Sequence, residues 1–497
     1  MTAAYITTPI YYVNDKPHIG HAYTTLTCDT LARFWRLQGK DVKFLTGTDE
    51  HGQKVEKAAA AANVTPQNFV DTVSQTFRHL IEKMDVTNDD FIRTTEPRHI
   101  KAAQALWTRL INNGAIYLGE YAGWYAVRDE AFYAESEIVN GKAPTGADVE
   151  WLVEPSYFFK LSAYQGQLLA YYKAHPDFIA PDARKNEVLR FVEGGLHDFA
   201  VSRTSFTWGV PVPGDDKHIM YVWLDALTNY MTALGYPDES TPDFKTFWPT
   251  AVHVVGKDIL RFHAVFWPAF LMAAGLPLPR QVFAHGWWTN EGVKISKSLG
   301  NTIDPIELID TFGIDAVRYF LLREVSFGQD GDFSRQALIN RLNSDLANAY
   351  GNLVQRVLSF IYKNGDGVVP TPSNLTAEDS VFLNLPKQFS PTIDEMQLNR
   401  YAEGVWLLIA RANQYVDEHK PWGLKKTDPD RMKTVLYVLA DFIRQIAILT
   451  QPLVPLASAK ILNQLVVSES NRLFSCLDNA LIPGTKLPEP IGVFPRV

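Results

Sequence analysis

Cysteine is nearly missing from this chain: Cys28 and Cys476 are the only two in 497 residues. That excludes a disulfide framework, and with no cysteine between positions 29 and 475 it also excludes a cysteine-built zinc site. Long apolar runs are missing too, since none reaches the ~20 residues that a membrane span requires. The opening "MTAAYITTPIYYVND" has no basic start leading into an apolar stretch and no Arg-rich amphipathic pattern, so no targeting segment is read there. The expectation from these absences is a cytoplasmic protein in a reducing compartment. Positive charge is in deficit, 47 Lys and Arg against 55 Asp and Glu, for a net charge of -8. This argues against a protein that coats nucleic acid without specificity, although a local basic strip can still hold a polyanion.

What is present describes a soluble, well-packed chain: 46% hydrophobic residues, 21% charged and 12 tryptophans. Its length exceeds one ordinary core, so two to four domains are expected. "AYITTPIYYV" reads as a buried strand, Pro17 and His18 lead into a helix that runs to a Gly39 C-cap, and "DVKFLTG" reads as a second buried strand. Helical patterns follow at 53–62, 66–85 and 98–113, which makes the opening a doubly wound unit. From about 115 to 215 short aromatic-rich runs such as "YLGEYAGWYAV" and "SYFFKLS" suggest antiparallel hairpins with a helix or two. The alternation resumes with "AVHVVG", "DILRFHAVFWPAFLMAAG" and "QVFAHG", so the insert splits the fold. Beyond about 335 the pattern is helical, at 335–362, 376–393, 397–419 and 430–449, with a loop at 365–376.

Two short stretches carry chemistry. "HIGH" at 18–21 stands where a strand gives way to a helix, and such a helix N-terminus attracts phosphate through its free N–H groups and dipole. His18 and His21 in that first turn can hydrogen-bond phosphate oxygens as charge builds in a transition state, and Gly20 lets a nucleotide approach the backbone. The same residues also fit an N-capping histidine and a histidine satisfied by a neighbouring element. "KISKS" at 294–298 follows a strand and turn; mobile ammonium groups there can close on a leaving pyrophosphate, while alone the run reads equally as a solvated loop.

Together, "HIGH" and "KISKS" at the two ends of a split dinucleotide-type fold resemble the paired signatures of class I aminoacyl-tRNA synthetases. The flanks "PIYYVND", "TGTDEHG", "YVWLDAL", "GKDILRFHAVFWPA" and "HKPW" resemble the methionyl-tRNA synthetase family, nearly end to end. The residues suit an amino-acid pocket of that kind. Tyr12, Trp223, Ile259, His263 and Trp267 fall in these flanks, and a polarizable thioether packs well on aromatic surfaces. Asp49 after a buried strand can pair with a substrate ammonium, or can cap a helix. Each aromatic has plain core packing as its alternative.

The resemblance implies an α/β fold with a split Rossmann-like parallel sheet, a small connective insertion and an all-α anticodon-binding bundle. It divides the chain into 1–115 and 216–290 as the catalytic halves, 116–215 as the insertion, 291–335 as the lysine loop with a stem-contact segment, and 336–497 as the helical domain. It implies methionine activation by ATP and transfer to tRNA. Ile10, Tyr12, Asp49, Trp223, Ile259 and His263 would line the methionine site. His18, Gly20, His21, Gly256, Asp258, Lys294, Ser296 and Lys297 would hold ATP, with His18, His21, Lys294 and Lys297 stabilising charge. Magnesium would ride on the ATP phosphates.

Many relatives carry a zinc knuckle after a "GWY"-like segment, but here Ala126 and Asp129 stand at the corresponding places, so no zinc is expected. Hydrophobic packing through Trp124, Phe132 and Phe158 would hold the knuckle instead. Asn352 and Arg356, four apart on one helix face, and Pro421 and Trp422 at the end of another helix, would read a CAU anticodon on initiator and elongator tRNA(Met). "KPWGLKK" adds charge for the RNA backbone. The insert is shorter than the editing inserts of the leucine, isoleucine and valine enzymes, so no editing domain is expected. With no room seen for a C-terminal dimerising domain, a monomer is expected. Small adenylyl-transferring enzymes also use H-x-G-H but leave the lysine loop and helical domain unexplained. A non-catalytic tRNA-binding relative would not need both signatures, and a cysteine-specific enzyme would need the zinc site.

Overall fold

In the computed structural model the described residues are 2–13, 16–126, 131–133, 135–144, 146–295, 301–389, 393 and 396–496. The chain starts with β1 (Ala3–Thr7) and the short β2 (Tyr11–Tyr12). The sequence reads these as one strand, but Pro9 lacks an N–H and cannot continue the ladder, so the strand breaks and resumes. Both pieces run beside β3 (Asp41–Asp49), in the registers Thr7 to Leu45 and Tyr11 to Thr48. The break turns Pro9 and Ile10 away from regular pairing, into the cavity described below.

Between them lies α1 (Ile19–Leu37), followed after β3 by α2 (Gln53–Ala61), α3 (Pro66–Lys83), β4 (Asp90–Arg93) and α4 (Pro97–Asn112). Strands β5 (Ile179–Ala180), β6 (Ala251–Gly256) and β7 (Gln281–His285) complete the seven-stranded sheet. All its pairings are parallel, and across it the strands run β4, β3, β1 with β2, β6, β7, β5. Chain order reverses at β1, whose neighbours are β3 on one side and β6 on the other. Ligands of open parallel sheets bind at such a switch point, beyond the carboxyl ends of the strands.

The split is visible in the pairing. Ile116–Ala126, Ala131–Tyr133, Glu150–Phe159 and Phe199–Ala200 form a four-stranded antiparallel sheet. Trp124 meets Trp151 edge to face at 5.4 Å and Phe158 stacks on Tyr117 at 5.8 Å, while Ala126 is buried with Ala143 and Ala147. Asp129 and the side chain of Phe132 lie outside the described residues. Strand β5 comes from inside the stretch 116–215 yet joins the parallel sheet beside β7. The chain thus visits the main sheet between its two antiparallel excursions.

After β7 a small sheet joins Trp288–Asn290 and Val293–Lys294 to Gly331–Phe333. Before β6 lies α5 (Val222–Leu227), and after β7 α6 (Ile314–Glu324) leads to the helical region with α7 (Asn352–Asn364), α8 (Ala377–Gln388), α9 (Leu398–His419), α10 (Pro421–Thr427) and α11 (Pro429–Thr450). One apolar core runs from α1 through α6 into this bundle. At its centre Arg318 of α6 and Asp29 of α1, both fully buried, form an ion pair at 2.6 Å. The same guanidinium donates to the Pro452 carbonyl at 3.1 Å, which ties the helical bundle to the helix that starts at His18. Among the described residues no helix is long and apolar enough to cross a membrane.

Candidate functional site

A cavity of about 870 Å³ opens at the switch point. It is lined by Ile10 from the break between β1 and β2, by Tyr12 of β2, from the α1 turn by His18, Gly20 and His21, and from β3 by Asp49. The second half supplies Trp223, Gly256, Asp258, Ile259 and His263. Segments more than two hundred residues apart in sequence thus share one wall.

At one end the first turn of α1 is held by its own histidines. His18 is the N-cap: its Nδ1 accepts from Gly20 N–H at 3.1 Å, and Nδ1 of His21 accepts from His18 N–H at 3.0 Å. This is a capping box in which imidazoles take the place usually filled by hydroxyl and carboxylate. An Nδ1 that accepts has its ring proton on Nε2, so each ring keeps an Nε2–H as donor. The rings lie 3.9 Å apart, and His21 also packs edge-on against Tyr11 and Phe77. The sequence offered capping and phosphate binding as alternatives; here capping orients the very nitrogens that phosphate binding would use. A Cβ on Gly20 would stand 2.9 Å from the His18 ring, so glycine is required for the cap itself.

At the other end lies a half-aromatic compartment. Trp223 stacks on Phe262 at 3.8 Å with planes 6° apart. His263 donates from Nδ1 to the Ile259 carbonyl at 2.9 Å, so Nε2 accepts from Tyr230 Oη at 2.7 Å. Burial holds the His263 imidazole down at about 4, which keeps it neutral at physiological pH. Asp49 is 9% exposed, and its Oδ1 makes no hydrogen bond to the described residues. Its carboxyl is pushed well up by burial and then by the nearby Asp225. It does not cap α2, whose N-cap is Gly52. A buried, singly unsatisfied carboxylate of this kind is matched by a cation that brings N–H donors.

Between the two ends, Gly256 and Asp258 follow β6. The Asp258 carboxylate accepts from Trp287 Nε1 at 3.1 Å, and it lies where any Cβ on Gly256 would be, 2.5 Å away. Ile295 lines the cavity on the side of the lysine run. Ser296 and Lys297, and the side chain of Lys294, lie outside the described residues. Trp267 does not reach the cavity: it is fully buried in core beneath Tyr230.

Sequence reasoning missed Tyr230 and His285. Tyr230 lies beyond the end of α5, in the short helix Asn229–Thr232 that follows the turn at Thr228, so no single helical spacing from Trp223 discloses it. His285 ends β7 in register with Gly256, the position where ligands of parallel sheets gather. It bridges Thr24 of α1 at 2.8 Å and the Gly286 carbonyl at 2.8 Å.

About the helical bundle one expectation is corrected. Pro421 and Trp422 begin α10 rather than end a helix: Lys420 takes a left-handed conformation with φ 41°, and Pro421 sits at the first helical position, where its missing N–H costs nothing. Trp422 is 41% exposed. The Arg356 guanidinium lies 5.2 Å from its ring centre and Phe360 packs edge-on at 6.3 Å. Asn352 opens α7 one turn before Arg356. Among the described residues the one cluster with metal-ligand spacing is Glu378, Glu418 and His419, where Arg411 reaches both carboxylates.

Comparison with known proteins agrees with this layout. The family profile described as tRNA synthetases class I (M) matches residues 4–151 and 140–358, and that of the anticodon binding domain of methionyl tRNA ligase matches 370–496. The methionine–tRNA ligase of Rickettsia conorii is 57% identical over 502 aligned residues, covering 99% of both chains. That of Mesorhizobium japonicum is 53% identical, covering 99% of this chain and 97% of its own. Mycobacterium tuberculosis methionyl-tRNA synthetase in complex with methionyl-adenylate superposes with a TM-score of 0.94 at 49% identity over the whole of both chains.

Proposed function

The chain belongs to the methionine–tRNA ligase family of class I aminoacyl-tRNA synthetases, and from that premise we propose how its residues share the work. The enzyme activates L-methionine with ATP and passes the methionyl group to tRNA(Met). The observation that carries the residue assignment is that one cavity holds both the unsatisfied Asp49 carboxylate and the histidine-capped turn of α1.

Methionine lies with its ammonium on Asp49 and its side chain against Trp223, Ile10, Tyr12 and Ile259. The neutral His263 and Tyr230 end that compartment, where a charged ring would repel no substrate but would cost desolvation. A thioether suits the flat aromatic wall. One methylene less is worth only ~1–3 kcal/mol, so homocysteine is the expected competitor.

The ATP ribose and adenine lie along Gly256 and Asp258, whose carboxylate accepts from ribose hydroxyls. The phosphates reach the α1 N-terminus as their magnesium complex. A methionine carboxylate oxygen attacks the alpha phosphorus, the bond to the bridging oxygen breaks, and pyrophosphate leaves. Nε2–H of His18 and His21, with the helix dipole, stabilise charge growing on the phosphoryl oxygens. Lys294, Ser296 and Lys297 meet the departing pyrophosphate. A terminal ribose hydroxyl of tRNA then attacks the carbonyl carbon of the mixed anhydride and AMP leaves. No protein nucleophile is required, so rate comes from alignment and electrostatics. Arg356, Trp422 and Asn352, with Pro421 setting the turn, read the CAU anticodon by stacking and base-edge contacts.

The test is amino-acid-dependent ATP–pyrophosphate exchange on wild type and His21→Ala. Exchange with methionine alone, largely lost in the variant, supports the assignment. Full exchange by the variant would remove the role given to the imidazole pair.

A further inference from the structure

The end of β3 that carries Asp49 and the helix that carries Trp223 come from opposite halves of the split fold, and one buried carboxylate joins them. Asp225 of α5, two residues after Trp223, is fully buried. One of its oxygens accepts from His51 Nδ1 at 2.7 Å and the other from His99 Nε2 of α4 at 2.7 Å. His51 is two residues after Asp49; His99 is fully buried, with Thr232 Oγ1 3.4 Å from its Nδ1. Burial alone would push the Asp225 carboxyl up, but His51 and then His99 outweigh it and hold the group at about 2, so it is an anion at neutral pH.

Glu50, between Asp49 and His51, is answered by Arg93 at 2.7 Å. Asp225 is bonded by both imidazoles and, after burial, is the next influence that raises the Asp49 carboxyl. Of these two carboxyls only Asp49 lines the cavity, so Asp225 reaches a substrate through the residues it holds.

We propose that Asp225 is a positioning residue for amino-acid recognition: through His51 it holds the end of β3 that carries Asp49 against the Trp223 helix. This rests on Asp49 being the ammonium ligand, so the experiment separates the two. Asp225→Asn, Asp49→Asn and the double variant are compared in ATP–pyrophosphate exchange, with KM for methionine and for ATP and kcat measured separately.

Asp225→Asn is expected to raise KM for methionine about tenfold with KM for ATP within about twofold, and to add no more than about twofold to Asp49→Asn, because neighbours acting through one contact are not additive. Fold-changes that multiply in the double variant would overturn the proposal, as would a parallel rise in both KM values, the mark of general loosening. If Asp49→Asn leaves KM for methionine unchanged, the Asp49 reading fails and Asp225 acting through it falls with it. Should Asp225→Asn not fold, His51→Ala removes only the bond toward Asp49 and is expected to raise KM for methionine with the same selectivity; an unchanged value would refute the coupling.

Discussion

Replacing Trp422 by alanine should separate anticodon reading from amino-acid activation. The indole is 41% exposed on the first turn of α10, with the Arg356 guanidinium 5.2 Å from its ring centre. Stacking a base on an aromatic ring is worth ~1–3 kcal/mol, which corresponds to a loss of roughly 5- to 150-fold in kcat/KM for tRNA. Arg356 loses its aromatic platform as well, which places the expected loss toward the upper half of that span. A surface ring contributes little to folding, on the order of 0.5 kcal/mol, so the melting temperature should move by no more than about 2 °C. The assay is charging of two transcripts, one with a CAU anticodon and one with an altered anticodon, beside methionine-dependent exchange. The CAU transcript should lose efficiency while the altered one barely changes, and exchange should stay within about twofold, because the cavity lies in a different part of the fold. If exchange falls as far as charging, or the preference for CAU survives, the stacking argument is wrong.

Asp49→Asn should raise KM for methionine by about 10- to 150-fold, the value of a hydrogen bond to a charged group. Because Asp49 titrates above the usual carboxylate range and binds ammonium only when ionised, wild-type kcat/KM for methionine should fall as pH drops through that raised value. The acid limb should be missing from the variant; its persistence would assign the titration to another group. Arg318→Met leaves Asp29 buried beside Arg33 alone and should cost about 3–5 kcal/mol, read from denaturant midpoints, with a loss below about 1 kcal/mol sinking the idea. Burial raises the Asp29 carboxyl, but Arg318 and Arg33 outweigh it and hold it low. Its stabilisation is therefore full above the unfolded carboxylate value and lost as pH falls through the lowered folded one, and Arg318→Met should flatten that dependence. Gly20→Ala should cut exchange sharply while changing stability by no more than about 1 kcal/mol: the added methyl strikes the His18 ring and loosens its cap, but alanine is the better helix former and offsets much of that loss. A fall in stability matching the fall in activity would point to general unfolding instead.

Much of this molecule follows from neighbours in sequence. The helix α1 is announced by Pro17 and His18 at its start and Gly39 just past its end, and β3 by its apolar run, because capping and strand burial are decided within a few residues. The same holds for the candidate site where it is built from contiguous turns, as with His18, Gly20 and His21. Local rules also misled. A proline inside "AYITTPIYYV" breaks the ladder, and Pro421, which in the sequence reads as a stop, serves as a start, since a proline fits the first turn of a helix as readily as the residue beyond its last.

The sequence alone determined the class of chemistry, the two signature turns and the exclusion of a cysteine-bound zinc, each a matter of which atoms a short segment carries. Only the tertiary structure decided which buried charges face one another. Asp225 meets His51 across 174 positions and His99 across 126, and Arg318 reaches the Pro452 carbonyl across 134. No spacing rule spans such separations, because they exist only once sheet order has brought distant elements side by side. The energy of a charge depends on what those neighbours exclude and supply: Asp49 is an ordinary acidic residue in the chain, and becomes a carboxyl held well above its usual range when burial and Asp225 close around it.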